Sequence, residues 1–232
     1  MTDLESKPTM THHADIFVAG ASRGVGREVV RCLVEQSLSV KALLRSLSAQ
    51  AELEAIGVKI AFGDALEPAQ VEQAMSAPIQ AVISTIGGLP KDGQRADFLG
   101  NKNLIDAAVN AGVSKFILVS SIGSGNSAVA LPPQAMEALR PVLLEKEQAE
   151  NYLVDSGLTY VIIRPGGLKS EPATGNGILT ANPNIAGTIH RADVAQLVSQ
   201  CLFSDRVNNQ ILSAVDRNMA YGKAEFEILN LG

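Results

Sequence analysis

The stretch Ile16-Phe17-Val18-Ala19-Gly20-Ala21-Ser22-Arg23-Gly24-Val25-Gly26 decides the fold. Four apolar residues make a short buried strand. The glycines that follow allow a tight turn, close approach of backbone to a pyrophosphate, and close packing of helix on strand. Val25, Val29, Val30, Leu33 and Val34 then recur at helical spacing, which predicts a helix over about 24–36. Such a helix points free N–H groups and a partial positive charge at the turn, the arrangement an anion prefers. A glycine-rich heptamer alone is a weak signal; one that follows the first strand of a strand–helix alternation is in the required context.

That alternation runs along almost the whole chain. Strands are predicted over 40–44, 58–62, 81–83, 116–119, 160–163 and 210–214, with helices between them. Pro68 suits the first turn of one helix, and Gly112 the left-handed cap of another. A helix over 141–155 opens at Pro141, and a last helix covers 193–203. Alternation of this kind means right-handed crossovers and a parallel sheet covered on both faces. The expectation is an α/β chain: one doubly wound parallel sheet of six or seven strands over 14–232, after a flexible tail over 1–13. Two longer segments, about 122–136 and 166–190, carry Gly, Asn, Ser, Thr and Pro and would roof a site at the strand ends.

Composition narrows the function classes. Of 232 residues 46% are hydrophobic and 19% charged, which suits a packed core and excludes a disordered chain. A net charge of −5 without a basic block argues against nucleic acid as a partner. The longest charge-free stretch, 116–136, contains Ser120, Ser121, Ser124, Asn126, Pro132 and Pro133, so no membrane span is expected. The polar start lacks the apolar region of a signal peptide, and His12 and His13 read as part of a solvated tail. Cys32 and Cys201 read as buried free thiols of a reducing, cytoplasmic compartment. No metal site is expected.

The spacing Gly-x-x-x-Gly-x-Gly resembles the short-chain dehydrogenase/reductase superfamily. So do Gly63-Asp64, Asp97-x-x-Gly100-x-x-Asn103, Val119-Ser120-Ser121, Arg164-Pro165-Gly166 and Arg191-Ala192-Asp193-Val194-Ala195. Within it the chain is similar to the atypical branch, to NmrA-like proteins and the flavin reductase/biliverdin-IXβ reductase group. The resemblance implies a Rossmann-type sheet and a nicotinamide dinucleotide. Its contacts would be Gly20, Ser22, Arg23, Gly24, Val25 and Gly26 at the turn, Asp64 and Ala65 at the adenine, and Thr85, Ile86, Gly87, Pro165 and Gly166 at later strand ends. Ser121, with Ser120 beside it, would face the nicotinamide, and Lys146 would hold the ribose hydroxyls.

One departure bears on the chemistry. The superfamily's acid/base pair is Tyr-x-x-x-Lys, and the matching stretch here is Val142-Leu143-Leu144-Glu145-Lys146. Residues four apart share a helix face, so an alkyl group stands where the phenol would be. Arg164 reads as structural, and nothing in the sequence supplies a partner for His190. An anionic substituent on a substrate would have to meet Lys91, Arg95, Arg140 or Lys169 at the rim.

Cofactor choice is read from the end of the second strand. NAD-specific sheets carry an acid about 20 residues after the glycines; this chain has Arg45 and Ser46 there. A guanidinium pairs bidentately with a 2′-phosphate, and Arg23 adds a second charge, so NADP(H) is expected. Two functions fit: a reductase delivering hydride to a conjugated small-molecule acceptor (flavin, quinone-like ring or linear tetrapyrrole), or a non-catalytic NADP(H)-binding protein that controls a partner. A monomer or small homo-oligomer is expected.

Overall fold

The computed structural model describes residues 15–88, 94–221 and 227–230. The tail over 1–13, with its histidines, and Lys91 lie outside the described residues.

Among the described residues, ten strands and six α-helices follow in chain order: β1 Asp15–Ala19, α1 Gly24–Glu35, β2 Val40–Leu44, α2 Gln50–Ala55, β3 Lys59–Phe62, α3 Pro68–Ala74, β4 Ile79–Ser84, α4 Leu99–Asn110 and β5 Lys115–Val119. Then come α5 Pro133–Asp155, β6 Tyr160–Pro165, β7 Gly167–Lys169, β8 Gly177–Thr180, β9 Thr188–His190, α6 Arg191–Phe203 and β10 Gln210–Asp216. The main sheet has eight strands in the order β3-β2-β1-β4-β5-β6-β10-β8. All pair in parallel except β8, which runs antiparallel to β10. The chain leaves β1 toward β2 and β3, then crosses back to β4, so the strand order reverses beside β1. A crevice at such a reversal, outside the carboxyl ends of the strands, is where open α/β sheets take ligands.

Two apolar layers hold the sheet. Ile16, Val18, Val29, Leu33, Leu53, Val198 and Cys201 pack on one face under α1, α2 and α6. Phe17, Leu104, Ile105, Phe116, Leu153 and Ile162 pack on the other under α3, α4 and α5. Alternate residues of β1 serve opposite layers, as the two-residue period of a strand requires. Helices therefore cover both faces.

The structure corrects three expectations. The sheet gains an eighth strand, because β8 lies inside the segment expected to be irregular; four residues in a Gly- and Asn-rich context give no readable period. That segment also holds β7 and β9, which pair with each other. Helix α5 opens at Pro133, eight residues before Pro141, which sits inside the helix. An interior proline is tolerated here because Pro141 and Glu137, whose carbonyl loses its donor, are both exposed and water can serve that carbonyl. The roof after β5 thus shrinks to a short 3₁₀ turn over Gly125–Ala130 and its flanks.

Candidate active site

Gly20 follows β1 with φ of +90°, and Gly26 lies in the first turn of α1. A Cβ on Gly26 would run into the Gly20 carbonyl and the Thr85 hydroxyl, and one on Gly20 into the same hydroxyl. Thr85 donates to the Ala19 carbonyl at 3.1 Å, so the end of β4 is keyed into the turn. Gly24 is different. Its φ is +59°, and beyond its own turn and helix a Cβ there would meet only Arg191 Nε, at 3.7 Å, among the described residues. Val25 is buried, while Ser22, Arg23 and Gly24 are exposed. Arg23, in the N-cap position, makes no side-chain bond to the first turn of α1, and no acid stands in that turn. The leading N–H groups are left open to an incoming anion. The cradle fits a dinucleotide pyrophosphate.

At the ends of β2 and β3, Arg45 is 74% exposed and its Nη1 lies 4.0 Å from Asp64 Oδ2. Ser46 and Ser48 hydroxyls are 3.0 Å apart. Asp64 Oδ1 accepts from the Leu66 N–H at 3.0 Å, and the Ala65 carbonyl accepts from Asn103 Nδ2 at 2.9 Å. Gly100 lets α4 approach this corner: a Cβ there would press on Ile86 Cδ1 at 2.8 Å and Ala65 Cβ at 3.3 Å.

Beyond β4 the site is made of charged side chains. Asp97 is fully buried, and Lys146 Nζ from α5 lies 3.1 Å from its Oδ1. Gly87 (φ +144°) sits against both, since a Cβ there would strike the Asp97 carboxylate and come within 2.9 Å of Lys146 Nζ. Half-buried Val142 stands one turn earlier on α5. Tyr152 does not replace the missing phenol: its hydroxyl donates to Asp106 at 2.6 Å, on α4.

Ser120 and Ser121, adjacent in sequence, have different partners. The Ser120 hydroxyl donates to buried Glu150 in a short contact. Glu150 also receives Arg164 Nε at 3.1 Å and Nη2 at 2.6 Å, and Arg164 Nη1 donates to Asn126 at 2.5 Å. This network pins the turn after β5 to α5 and β6, as expected of a structural Arg164. Ser121 is half-buried, and its hydroxyl donates to the neighbouring Ile122 carbonyl at 2.9 Å. The Pro165 carbonyl accepts from the Ile122 N–H at 2.9 Å, and the Gly166 N–H donates to Ala214 at 2.9 Å.

The strap after β7 is clamped by the start of α6. Buried Asp193 accepts from the Thr174 N–H at 2.9 Å and the Gly175 N–H at 2.8 Å, and the Thr174 hydroxyl reaches Asp216 at 2.6 Å. His190, whose partners the sequence did not reveal, lies 3.6 Å from Glu171 and 3.8 Å from Asp193. The Glu171 carboxyl is held below its ordinary value, chiefly by its own backbone N–H and further by His190. Among the described residues no group of three His, Cys, Asp or Glu could hold a metal, and no helix is long and apolar enough to cross a membrane.

A family profile described as NAD(P)H-binding matches residues 20–205. The chain belongs to this family. Its motifs and fold are those of atypical short-chain dehydrogenases/reductases, and its cofactor is NAD(P)H. ChuY of Escherichia coli O157:H7, described as an anaerobillin reductase, is 32% identical over 91% of this chain and 100% of its own, with a TM-score of 0.81. YhfK of Bacillus subtilis, described as an uncharacterized sugar epimerase, is 32% identical over 90% of this chain and 97% of its own. Sanguinarine reductase of Eschscholzia californica is 28% identical over 90% of this chain and 91% of its own.

Of the residues singled out in the sequence, the crevice gathers the turn, Thr85, Gly87 and Lys146. Arg45, Ser46 and Asp64 stand together at the outer strand ends. Sequence reasoning missed Asp97, Glu150 and Asn126 as members of the site. A usable signal existed for the last two: Arg164 interrupts an otherwise apolar strand, and a buried charge needs partners.

Proposed function

We propose that this protein is an NADPH-dependent reductase that transfers hydride to a conjugated acceptor such as a flavin, a quinone-like ring or a linear tetrapyrrole. The observation that carries the reading is Val142 one turn from Lys146, with Lys146 tied to Asp97 and Tyr152 to Asp106. Reducing a simple ketone makes an alkoxide that needs a proton at once, and no phenol stands ready to give one. A conjugated acceptor spreads the incoming charge over many atoms and takes its proton from solvent. Similar proteins described as reductases of anaerobillin and sanguinarine support this class.

Bound NADPH supplies the hydride from its nicotinamide ring. The residues supply position. Open N–H groups at Gly24–Gly26, with Ser22 and Arg23, hold the pyrophosphate; Arg45 and Ser46 take the 2′-phosphate, and Asp64 and Ala65 border the adenine. Thr85, Ile86 and Gly87 would border the dinucleotide, Lys146 would hold its ribose hydroxyls, and Pro165 and Gly166 would lie toward its nicotinamide end. Ser121 offers the acceptor one hydrogen bond, while Ser120 holds Glu150 and with it the turn after β5. Orientation is the main contribution.

The test is anaerobic mixing of protein and NADPH with a panel of acceptors, following loss of the reduced nicotinamide absorbance. Turnover of flavin or a linear tetrapyrrole, with aliphatic ketones ignored, is expected. Robust ketone turnover under control of a protein acid overturns the mechanism. Tight NADPH binding without turnover on any acceptor selects a cofactor-sensing protein instead. Arg45→Asp is expected to erase the preference for NADPH over NADH in titrations; an unchanged preference removes Arg45 from this role.

A further inference from the structure

Beside the glycine turn lies an open cleft of about 800 Å³, with Arg23, Arg27 and Arg31 on one wall and Ser170, Glu171 and Arg191 on the other. Two of its four arginines are already neutralised. Arg27 pairs with Glu52, and Arg31 with Glu52 at 3.2 Å and Glu28 at 3.4 Å. Arg23 and Arg191 make no ion pair with any described residue.

Arg191 is the more informative of the two. A guanidinium has five N–H donors in a planar fork. Its Nη1 donates to Ser170 Oγ at 2.7 Å and makes a longer contact of 3.4 Å to the Leu168 carbonyl. Nε and Nη2, the edge suited to two parallel bonds with a phosphate, carry no hydrogen bond among the described residues. Nε also lies 3.7 Å from where a Cβ on Gly24 would stand, the one atom from outside the turn and its helix within 4 Å among the described residues. Gly24 is the first residue of α1, where the open N–H groups face the crevice. The free edge of Arg191 therefore borders the place where the turn receives an anion.

We infer that Arg191 is a direct ligand of the dinucleotide's pyrophosphate, gripping it from the side opposite the α1 N–H groups while its other edge holds the strap through Ser170. The inference rests on the dinucleotide reading of the glycine turn and adds to it a residue 165 positions beyond Gly26, outside the usual glycine motif. It also separates the two phosphate-binding corners. Arg45 reads the 2′-phosphate and so chooses between cofactors; Arg191 reads the pyrophosphate, which NADPH and NADH share.

The experiment titrates wild type, Arg191→Ala, Arg191→Lys, Ser170→Ala and Arg45→Ala with NADPH, NADH and 2′-AMP, a probe with the 2′-phosphate and no pyrophosphate. Arg191→Ala should weaken NADPH and NADH by the same factor, about tenfold or more, for loss of a bidentate charge-assisted contact. It should leave 2′-AMP binding unchanged. Arg45→Ala should weaken NADPH and 2′-AMP but not NADH. Arg191→Lys should recover only part of the affinity, because an ammonium lacks the fork. Ser170→Ala separates direct contact from support of the strap: it should cost less than threefold. Equal losses in Ser170→Ala and Arg191→Ala, unchanged NADPH affinity in Arg191→Ala, or an equal loss for 2′-AMP each overturn the inference. If wild type binds neither dinucleotide, the cofactor reading falls and this inference with it. Wild-type binding that survives Arg191→Ala overturns only the inference.

Discussion

The turn between β1 and α1 is made of main chain left open, whereas the region beyond β5 and β6 is made of side chains tied to one another. At the turn, glycines at 20 and 26 let strand, helix and Thr85 close up, and the exposed side chains of Ser22 and Arg23 are tied to no described residue. Beyond β5, the buried charges hold a set of polar groups together: Ser120 and Arg164 on Glu150, Asn126 on Arg164, Thr174 and Gly175 on Asp193. A site made of open backbone is sensitive to added atoms. One made of interlocked side chains is sensitive to removed atoms.

The sharpest way to break this contrast is Glu150→Ala. Glu150 and Arg164 are both buried, and the substitution leaves a guanidinium without its counter-ion and Ser120 without its acceptor. Removing one partner of a buried pair costs about 3–5 kcal/mol. Arg23→Ala, at the exposed turn, should stay within about 0.5 kcal/mol in stability while weakening NADPH. Urea denaturation of both variants checks the pair. A loss below about 1 kcal/mol for Glu150→Ala would mean the acceptor side is not held by this network.

A smaller effect is expected at the strap. Asp193→Ala strips the acceptor from the Thr174 and Gly175 N–H groups, at a cost of about 1–3 kcal/mol if they stay dry. Asp193→Asn keeps one acceptor oxygen and should recover much of the loss. Native-state hydrogen exchange reads this at the two amides themselves. Faster exchange at Thr174 and Gly175 in the alanine variant is the expected result; unchanged exchange would show that the strap is held by other contacts.

The same contrast explains what could be read in advance. The turn was legible because a backbone constraint writes itself as glycine at fixed spacing, next to a strand and a helix of clear period. The place of Arg45 at the end of β2 was legible for a similar reason, since its distance from Gly24 is set by one helix and one strand. Asp97 with Lys146, and Glu150 with Arg164, were not: they meet through tertiary folding, and no local pattern announces the pairing. β8 escaped because its partner β10 follows a whole strand and helix later, and α5 was cut short because proline opens helices more often than it sits inside them.

Ser121→Ala tests a still smaller quantity. The hydroxyl donates to Ile122 O in the structure, and reaching an acceptor means giving that bond up. Only the difference between the two bonds is available to the reaction. A drop in kcat/KM of about tenfold or less is expected, equivalent to roughly 1.4 kcal/mol of barrier. Lys146→Ala should act chiefly on NADPH affinity. A thousandfold loss in Ser121→Ala would instead mark this serine as the proton donor that the site otherwise lacks.

The smallest expected effect concerns the two thiols beneath the cofactor half. Cys32 lies on α1 and Cys201 on α6, helices that pack along each other on one face of the sheet. Burial pushes the Cys201 thiol up to about 12, with Lys115 the opposing influence. Burial also raises Cys32, against weaker opposition from Ser199 and Gln36, whose Nε2 lies 3.3 Å from its sulfur. The nucleophile is the thiolate, and at neutral pH neither residue supplies much of it. Iodoacetamide should leave the native protein unmodified and its NADPH affinity unchanged, while the denatured chain takes up label at both of its 2 cysteines. Native labelling of Cys201, which is buried where Cys32 is half-buried, would mean that the seam between α1 and α6 opens. Arg191 stands at the end of that seam, so its distance from Gly24 would then vary with the opening, and the cofactor half would not be the rigid, backbone-made site that the contrast requires.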